Sequence, residues 1–381
     1  MDTMNAGERL ASARRLVIKI GSAQMIDPQT GAPRADRFAA LAADIADLRG
    51  RGQETVLVSS GAVALGRPRL GLGPRQRLSL EHKQAAAAAG QALLIQMWDQ
   101  AFAFHGFPAA QALLSPADTE ARPRWLNARN TIEALLSFGA VPVINENDTV
   151  ATEKLRFGDN DKLAARTAQL CSAQLLVILS DVDGLYDRDP SEPGARHMPE
   201  IAAITPEIEA LAGPPRPGAG TGGMASKISA ARIAMSAGCA VVITSGAPAR
   251  PLEALRDGAR ASWFAAHGSP ETARRAWIQG ALSPSGTLHL DAGACRAIIA
   301  GRSLLPAGVT RVEGVFRRGD TVRIADAEGR GFATGIAGYN GEEARRIAGL
   351  RSKAVEATLG YRRGAALVHA GDIVLDSEDA H

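Results

Sequence analysis

Long apolar runs are missing from this 381-residue chain. No stretch approaches the ~20 consecutive apolar residues that a membrane-spanning helix needs. The opening MDTMNAGERLASARR has no apolar centre of the kind a secretory signal carries. Cysteine is scarce: Cys171, Cys239 and Cys295 are odd in number and far apart. That pattern fits neither a disulfide framework nor a zinc site and points to a reducing cytoplasmic setting. Net charge is low, at +3, so strong non-specific attraction to nucleic acid or to an anionic membrane is not expected. Lysine is rarest of all among the cations. Of 43 basic residues only six are Lys, at 19, 83, 154, 162, 227 and 353. Arg serves wherever a generic positive charge suffices, so a retained Lys marks a place where a compact ammonium is preferred to a planar guanidinium. That argument gains force only beside a phosphate-binding context.

What is present is ordinary in bulk. Hydrophobic residues make up 46% and charged residues 22%, as in soluble globular proteins. The length allows two or three domains with ample core. The chain is organised around Asn145 to Lys162, NENDTVATEKLRFGDNDK, which follows the apolar run Val141 to Ile144. So many hydrogen-bonding groups just past a strand are costly in a core and useful at a ligand site. The second cluster, Gly158 to Asp161, opens a predicted helix, where backbone N–H groups lack partners. Either Asp or Asn there alone reads as a cap; two polar clusters about a dozen residues apart read as a site for a small ligand carrying an ammonium and carboxylates.

Elsewhere strands and helices alternate. Leu16 to Ile20 is a predicted strand that opens into Gly21-Ser22. Small residues there let backbone N–H groups approach an anion, although a strand and tight turn explain the same residues. Lys19 is a charge inside that apolar strand and must reach a partner or a ligand. A helix over 36–50, a strand over 55–58 and the turn Ser59-Ser60-Gly61-Ala62 complete a β-α-β order, which favours a parallel sheet. An Ala-rich helix over 81–104, suited to close packing on the sheet, a strand over 109–114 and a helix over 124–138 follow. His82 and His105 have no metal-ligand spacing, and no metal-ligating residue is expected. Leu175 to Leu179 reads as a strand buried on both faces, followed by Ser180-Asp181; residues 187–200 read as an exposed loop.

The Pro- and Gly-rich 213–223 leads into Met224-Ala225-Ser226-Lys227, the start of a helix to Ala237. A Gly-rich segment ending at a helix N-terminus, with Lys in the first turn, fits an anion site, since a merely structural Lys would oppose the helix dipole. The Walker A frame is absent. A strand over 240–244 follows, and the first domain closes near Trp263-Phe264. From 286 onward short Val-, Ile- and Thr-rich strands, at 286–291, 309–316, 320–325 and 331–339, with short helices at 292–300 and 341–348, read as a small, mostly β module. Its 13 Lys/Arg and 12 Asp/Glu nearly balance.

In order along the chain stand LVIKIGS, LVSSGAVALG, VPVINENDTVAT, FGDNDKLAA, LSDVDGLYDRDP and GTGGMASK, and later SLLPAGV, GDTVRIAD and ARRIAG. The first six resemble the amino acid kinase family, in particular its glutamate-phosphorylating members. The later three resemble the PUA domain that many of these carry. The resemblance covers roughly residues 15 to 370, and six motifs in order make it specific. It implies an α/β/α sandwich around a mainly parallel sheet, plus a small mostly β PUA-like domain. The expected division is an N-terminal tail at 1–14, the kinase domain at 15–268, a linker at 269–284, the PUA-like domain at 285–370 and a C-terminal tail at 371–381.

The resemblance further implies ATP-dependent phosphorylation of the γ-carboxylate of L-glutamate to γ-glutamyl 5-phosphate, the first step of proline synthesis, with Mg2+ accompanying the nucleotide. Phosphoryl transfer depends on positioning and on neutralising charge. Carried onto this sequence, Lys19 and Lys227 flank the transferring group and Asp161 sits between them and holds both. Ser60, Asp148 and Asn160 bind glutamate. Lys19, Gly21, Gly61, Ser180, Asp181, Thr221, Gly222, Gly223, Met224, Ala225, Ser226 and Lys227 bind ATP. Ser59, Ser180 and Ser226 stand where relatives often have Thr and keep the hydroxyl. Arg156 stands where Lys is common, a change that is not neutral at a phosphate. Also implied are feedback inhibition by proline, coupling to a glutamyl phosphate reductase and a homodimer or homotetramer. Kinases of the same fold acting on N-acetylglutamate, aspartate or a nucleoside monophosphate are the nearest alternative; an RNA-binding protein is the alternative of another class, opposed by the balanced charge of the module.

Overall fold

Runs of Val, Leu and Ile bounded by short turns supply the strands, because such side chains fill both faces of a sheet covered by helices on each side. The structure, a computed structural model, describes residues 4–74, 76–150, 159–212, 223–279, 284–361 and 364–376. It divides into two units, Met1–Pro270 and Glu271–His381.

The first unit runs α1 (Ala6–Ser12), β1 (Arg15–Ile20), α2 (Ser22–Met25), α3 (Ala35–Gly50), β2 (Glu54–Ser59), α4 (Ala62–Arg69), α5 (Leu80–Ala103), β3 (Ala109–Leu114), α6 (Pro116–Glu120), α7 (Arg122–Ser137) and β4 (Val141–Glu146). It continues through α8 (Asn160–Leu170), β5 (Leu175–Ser180), β6 (Leu185–Tyr186), β7 (His197–Met198), β8 (Glu200–Ile201), α9 (Pro206–Ala210), α10 (Met224–Ser236), β9 (Ala240–Ser245), α11 (Pro251–Arg256) and β10 (Ala261–Phe264). The main sheet has eight strands in the order β3-β4-β2-β1-β5-β9-β10-β8. From β3 to β9 every pairing is parallel. β10 turns antiparallel to β9, and β8 runs parallel to β10.

β1 lies between β2 and β5. β2, β3 and β4 all lie on one side of β1, and the chain then resumes on the other side with β5 and β9. The crevice at the carboxyl ends of strands beside such a reversal is where open α/β sheets bind ligands. Side chains alternate across the sheet. Leu16, Ile18 and Ile20 join the core shared with α3 and α5, while Val17 joins the opposite core, shared with α8 and α10. By the same alternation Lys19 points to the α8 and α10 side.

Several expectations change on folding. The expected N-terminal tail carries α1, closed by a capping box between Asn5 and Glu8, and its Leu10 is buried. The loop expected over 187–200 contains β7 and leads into β8, whose Ile201 pairs with Phe264 of β10 at the sheet edge. The Ala-rich α5 approaches α4 more closely than a sheet-packing helix requires. A Cβ on Gly66 would lie 1.7 Å from the Ala86 carbonyl oxygen, and one on Gly90 would lie 1.9 Å from that of Ala62. The two glycines let these helices touch backbone to backbone. Among the described residues no helix is long and apolar enough to cross a membrane.

In the second unit the expected linker is largely α12 (Pro270–Gln279), followed by β11 (Gly286–Leu290), α13 (Ala292–Ile299), β12 (Val309–Gly314), β13 (Thr321–Ala325), β14 (Gly331–Ile336), α14 (Gly341–Ile347), α15 (Ser352–Leu359) and β15 (Ile373–Leu375). The sheet order is β12-β11-β13-β14-β15, around a core that includes Leu288, Ile324 and Tyr339. β15 lies in the segment expected as a tail and pairs with β14.

Candidate active site

Asp159 is the N-cap of α8. Its Oδ1 accepts from the backbone N–H groups of Asp161, at 2.9 Å, and Lys162, at 3.0 Å. The capping duty thus falls on one residue of the GDND cluster and releases the next two. Asp161, Ala164, Ala165 and Ala168 are buried along one face of α8; Lys227, Ala230, Ala231 and Ala234 are buried along α10. The small residues let both helices lie close to the sheet, and each helix brings one charged residue in at its first turn.

There the charges meet. Lys19 Nζ is 2.6 Å from Asp161 Oδ1, and Lys227 Nζ is 3.3 Å from Asp161 Oδ2. Asp161 is wholly buried, and Lys19 and Lys227 are 7% and 4% exposed. The Lys227 contact is a hydrogen bond; the Lys19 ammonium meets Oδ1 off the hydrogen-bonding direction, as an ion pair. Desolvating charge is expensive unless it is paired. One carboxylate serving two ammonium groups gives a trio of formal charge +1, rigidly held where an anion can be received.

Small residues surround the trio. A Cβ on Gly21 would stand 4.0 Å from Lys19 Nζ. Gly61 has φ +125°, a conformation L side chains rarely adopt, and a Cβ there would come within 2.4 Å of Ile26 Cδ1. Ser60 Oγ accepts from Asn160 Nδ2 at 2.6 Å, and Asn160 Nδ2 also donates to Asn145 Oδ1 at 3.0 Å. Asn145 Nδ2 in turn donates to Gln91 Oε1 at 2.9 Å. Beneath them Trp98 Nε1 donates to Ser59 Oγ at 3.0 Å. These bonds set Ser60 and Asn160 on the wall of a cavity of about 380 Å³, which Gly61, Arg67, Lys83, Glu146, Asp148 and Asp159 also line. Both signs of charge face it, and its volume falls in the range of small-ligand sites.

On the other side of β1, Ser180 Oγ donates to Asp181 Oδ1 at 2.9 Å. The Ser180 carbonyl accepts from Gln24 Nε2 at 2.6 Å and from the Gly246 N–H at 2.7 Å. Gly223 is the N-cap of α10, followed by Met224, Ala225 and Ser226. Ser226 Oγ is buried with no hydrogen-bond partner among the described residues, one residue from Lys227. Thr221, Gly222 and Arg156 lie outside the described residues. The fold therefore joins Lys19, Asp161 and Lys227 directly and sets Ser60, Asp148 and Asn160 on one cavity. Ser180 ends β5, the strand next to that of Lys19, and Asp181 follows it.

Sequence reading missed Gln91, Trp98, Gln24 and Arg67. Each acts through another residue rather than through a recognisable motif. Arg67 Nη1, for example, donates to the carbonyls of Gly73, at 2.7 Å, and Gln76, at 3.0 Å, and so holds the segment between α4 and α5.

A mainly parallel α/β sheet with a lysine–aspartate–lysine trio of net positive charge at its switch point has the chemistry to hold an anionic group such as a phosphate. The model of the amino acid kinase family matches residues 14–245, and that of the PUA domain matches residues 286–359. The chain belongs to the amino acid kinase family. It is 53% identical over 368 residues to a glutamate 5-kinase of Paramagnetospirillum magneticum, covering 96% of this chain and 99% of that protein. It is 54% identical over 367 residues to a glutamate 5-kinase of Caulobacter vibrioides, covering 96% and 97%. Among solved structures, a carbamate kinase from Giardia lamblia bound to AMP-PNP aligns with 67% of this chain and 99% of its own, at 18% identity and a TM-score of 0.48.

Proposed function

We propose that this chain transfers the γ-phosphoryl group of ATP to the γ-carboxylate of L-glutamate, yielding ADP and γ-glutamyl 5-phosphate, the opening step of proline synthesis from glutamate. The observation that carries this reading is the buried trio at the end of β1, with a small cavity of mixed charge built on the neighbouring strand ends. The named relatives support the choice of substrate.

A glutamate carboxylate oxygen attacks the γ-phosphorus while the bond to the β-phosphate oxygen breaks. No general base is needed, because the acceptor is already ionised at neutral pH. Lys19 and Lys227 face the charge that spreads over the equatorial oxygens, and Asp161 holds them at fixed positions. Gly21 and Gly61 leave backbone N–H groups accessible to the same oxygens. Ser60 and Asn160 orient the acceptor carboxylate, and Asp148 takes the α-ammonium. Ser180, Asp181 and the segment Thr221 to Lys227 take the nucleotide.

Among the described residues no three His, Cys, Asp or Glu side chains gather to cage a metal. A magnesium ion is proposed to arrive with the triphosphate, whose oxygens and water are its usual ligands. When bound, it would neutralise charge on the β- and γ-phosphate oxygens.

ADP release measured across glutamate, N-acetylglutamate, aspartate and nucleoside monophosphates, with and without magnesium, tests the reading. Magnesium-dependent release with glutamate is expected, and preference for N-acetylglutamate would overturn it. In the same assay proline is expected to inhibit, at or overlapping the glutamate cavity; an unchanged rate at high proline removes that part. The acyl phosphate product is labile, which suits immediate consumption by a glutamyl phosphate reductase. The kinase is proposed to work in the cytoplasm as a dimer or tetramer. The match to the PUA domain favours an added RNA-binding role for the second unit. Its balanced charge opposes tight non-specific binding, and a salt-dependent shift of a generic RNA by the full chain would establish it.

A further inference from the structure

Glutamate carries three charged handles, and the assignments above engage two of them. The γ-carboxylate lies against Ser60 and Asn160, and the α-ammonium lies against Asp148. The α-carboxylate calls for a cation on the same cavity. Two cations line it, Arg67 on α4 and Lys83 on α5. Arg67 is committed to the carbonyls of Gly73 and Gln76. The Lys83 ammonium makes no hydrogen bond or ion pair among the described residues. It stands four positions past the N-cap Ser79 of α5, where the helix dipole disfavours a cation. An unpaired ammonium at an unfavourable helix position, on the wall of a cavity that must receive a carboxylate, is placed to pair with it. Lys227 occupies the equivalent place in α10, four past its own N-cap Gly223.

We infer that Lys83 binds the α-carboxylate of the amino acid substrate, and so selects an α-amino acid over an amine that has only the side-chain carboxylate. The inference rests on the functional reading above. Lys83 is exposed at the cavity rim, so water screens its contribution. The expected effect is at the lower end of what a charged hydrogen bond contributes, roughly ten-fold. The contact is made equally in the bound substrate and in the transition state, so its loss raises KM and leaves kcat nearly unchanged.

Lys83→Met and Lys83→Arg are compared with the unmodified chain in steady-state ADP release. The substrates are glutamate and 4-aminobutyrate, which keeps the acceptor carboxylate and the amine but lacks the α-carboxylate; where its turnover is slow, it is measured as a competitive inhibitor against glutamate. Expected in Lys83→Met are a KM for glutamate raised about ten-fold, an unchanged KM for ATP, and unchanged 4-aminobutyrate parameters; Lys83→Arg restores most of the loss. Equal weakening of both compounds would make Lys83 a structural residue and overturn the inference, as would an unmoved KM for glutamate. An unmodified chain that releases no ADP with glutamate would overturn the functional reading first, which separates the two failures.

Discussion

Asp161→Asn changes one charge and almost no volume at a position with no exposed surface. The parent trio has formal charge +1; the variant leaves Lys19 and Lys227, both buried, around a neutral amide. Removing one partner of a buried ion pair costs about 3–5 kcal/mol, and here the lost carboxylate served two partners. For a domain of this size each kcal/mol moves Tm by roughly 2–4 °C, so a fall on the order of 10 °C is expected. Lys227→Met is the matched control. It takes the trio from +1 to zero and leaves the Lys19–Asp161 pair at 2.6 Å, so the unfolding temperature should move much less. Its turnover should fall about 10²–10³-fold, the usual loss when one preorganised electrostatic group is removed from a transition state. Differential scanning calorimetry reads the first quantity, and ADP release at saturating glutamate and ATP reads the second. An Asp161→Asn chain that melts with the parent, or a Lys227→Met chain with near-parent kcat, would refute the account of the trio.

Gly61→Ala should lose most activity while costing about 1–3 kcal/mol in stability. The side-chain clash is with the flexible end of Ile26, but φ +125° cannot be kept; unchanged turnover would show that the Gly61 N–H has no role. Burial pushes the Cys171 thiol up to about 12 and the Cys239 thiol well above its ordinary value. Above about pH 8.5 the unfolded chain releases thiol protons that the folded chain keeps, so stability should fall as pH rises towards 12, by up to about 1.4 kcal/mol per unit for each thiol. Denaturant melts at alkaline pH, with Cys171→Ala flattening the slope, check this. At neutral pH neither thiol contributes to the pH dependence. In the folded chain a thiol reagent should reach Cys295, which is partly exposed, before the buried Cys171 and Cys239; simultaneous reaction of all three would contradict the burial.

The strands of the first unit were legible because a sheet covered on both faces writes itself as unbroken apolar runs, as at Leu175 to Leu179. β8 and β15, of two and three residues, are too short to show any period. α1 was missed because its one buried residue, Leu10, draws its partners from the rest of the unit. Lys19 and Lys227, the lysines proposed to act in catalysis, stood out because charge is rare in such surroundings, whereas Gln91 and Trp98 look like ordinary helix residues and matter only through Asn145 and Ser59.

By itself the chain's order of residues determined the alternation of strands and helices, the polar clusters after β4 and before α8, and which lysines were out of place. Those follow from local physics: period, capping and the cost of an isolated charge. That Lys19, Asp161 and Lys227 meet was implied in the sequence only by the family resemblance, and the tertiary structure decided that these residues, from a strand and two helices far apart along the chain, share one buried point. That outcome depends on the order in which strands enter the sheet, which sets the switch at β1, and on the alternation that turns Lys19 toward α8 and α10 rather than toward α3. Neither is written in any one segment, because both arise from which segments become neighbours.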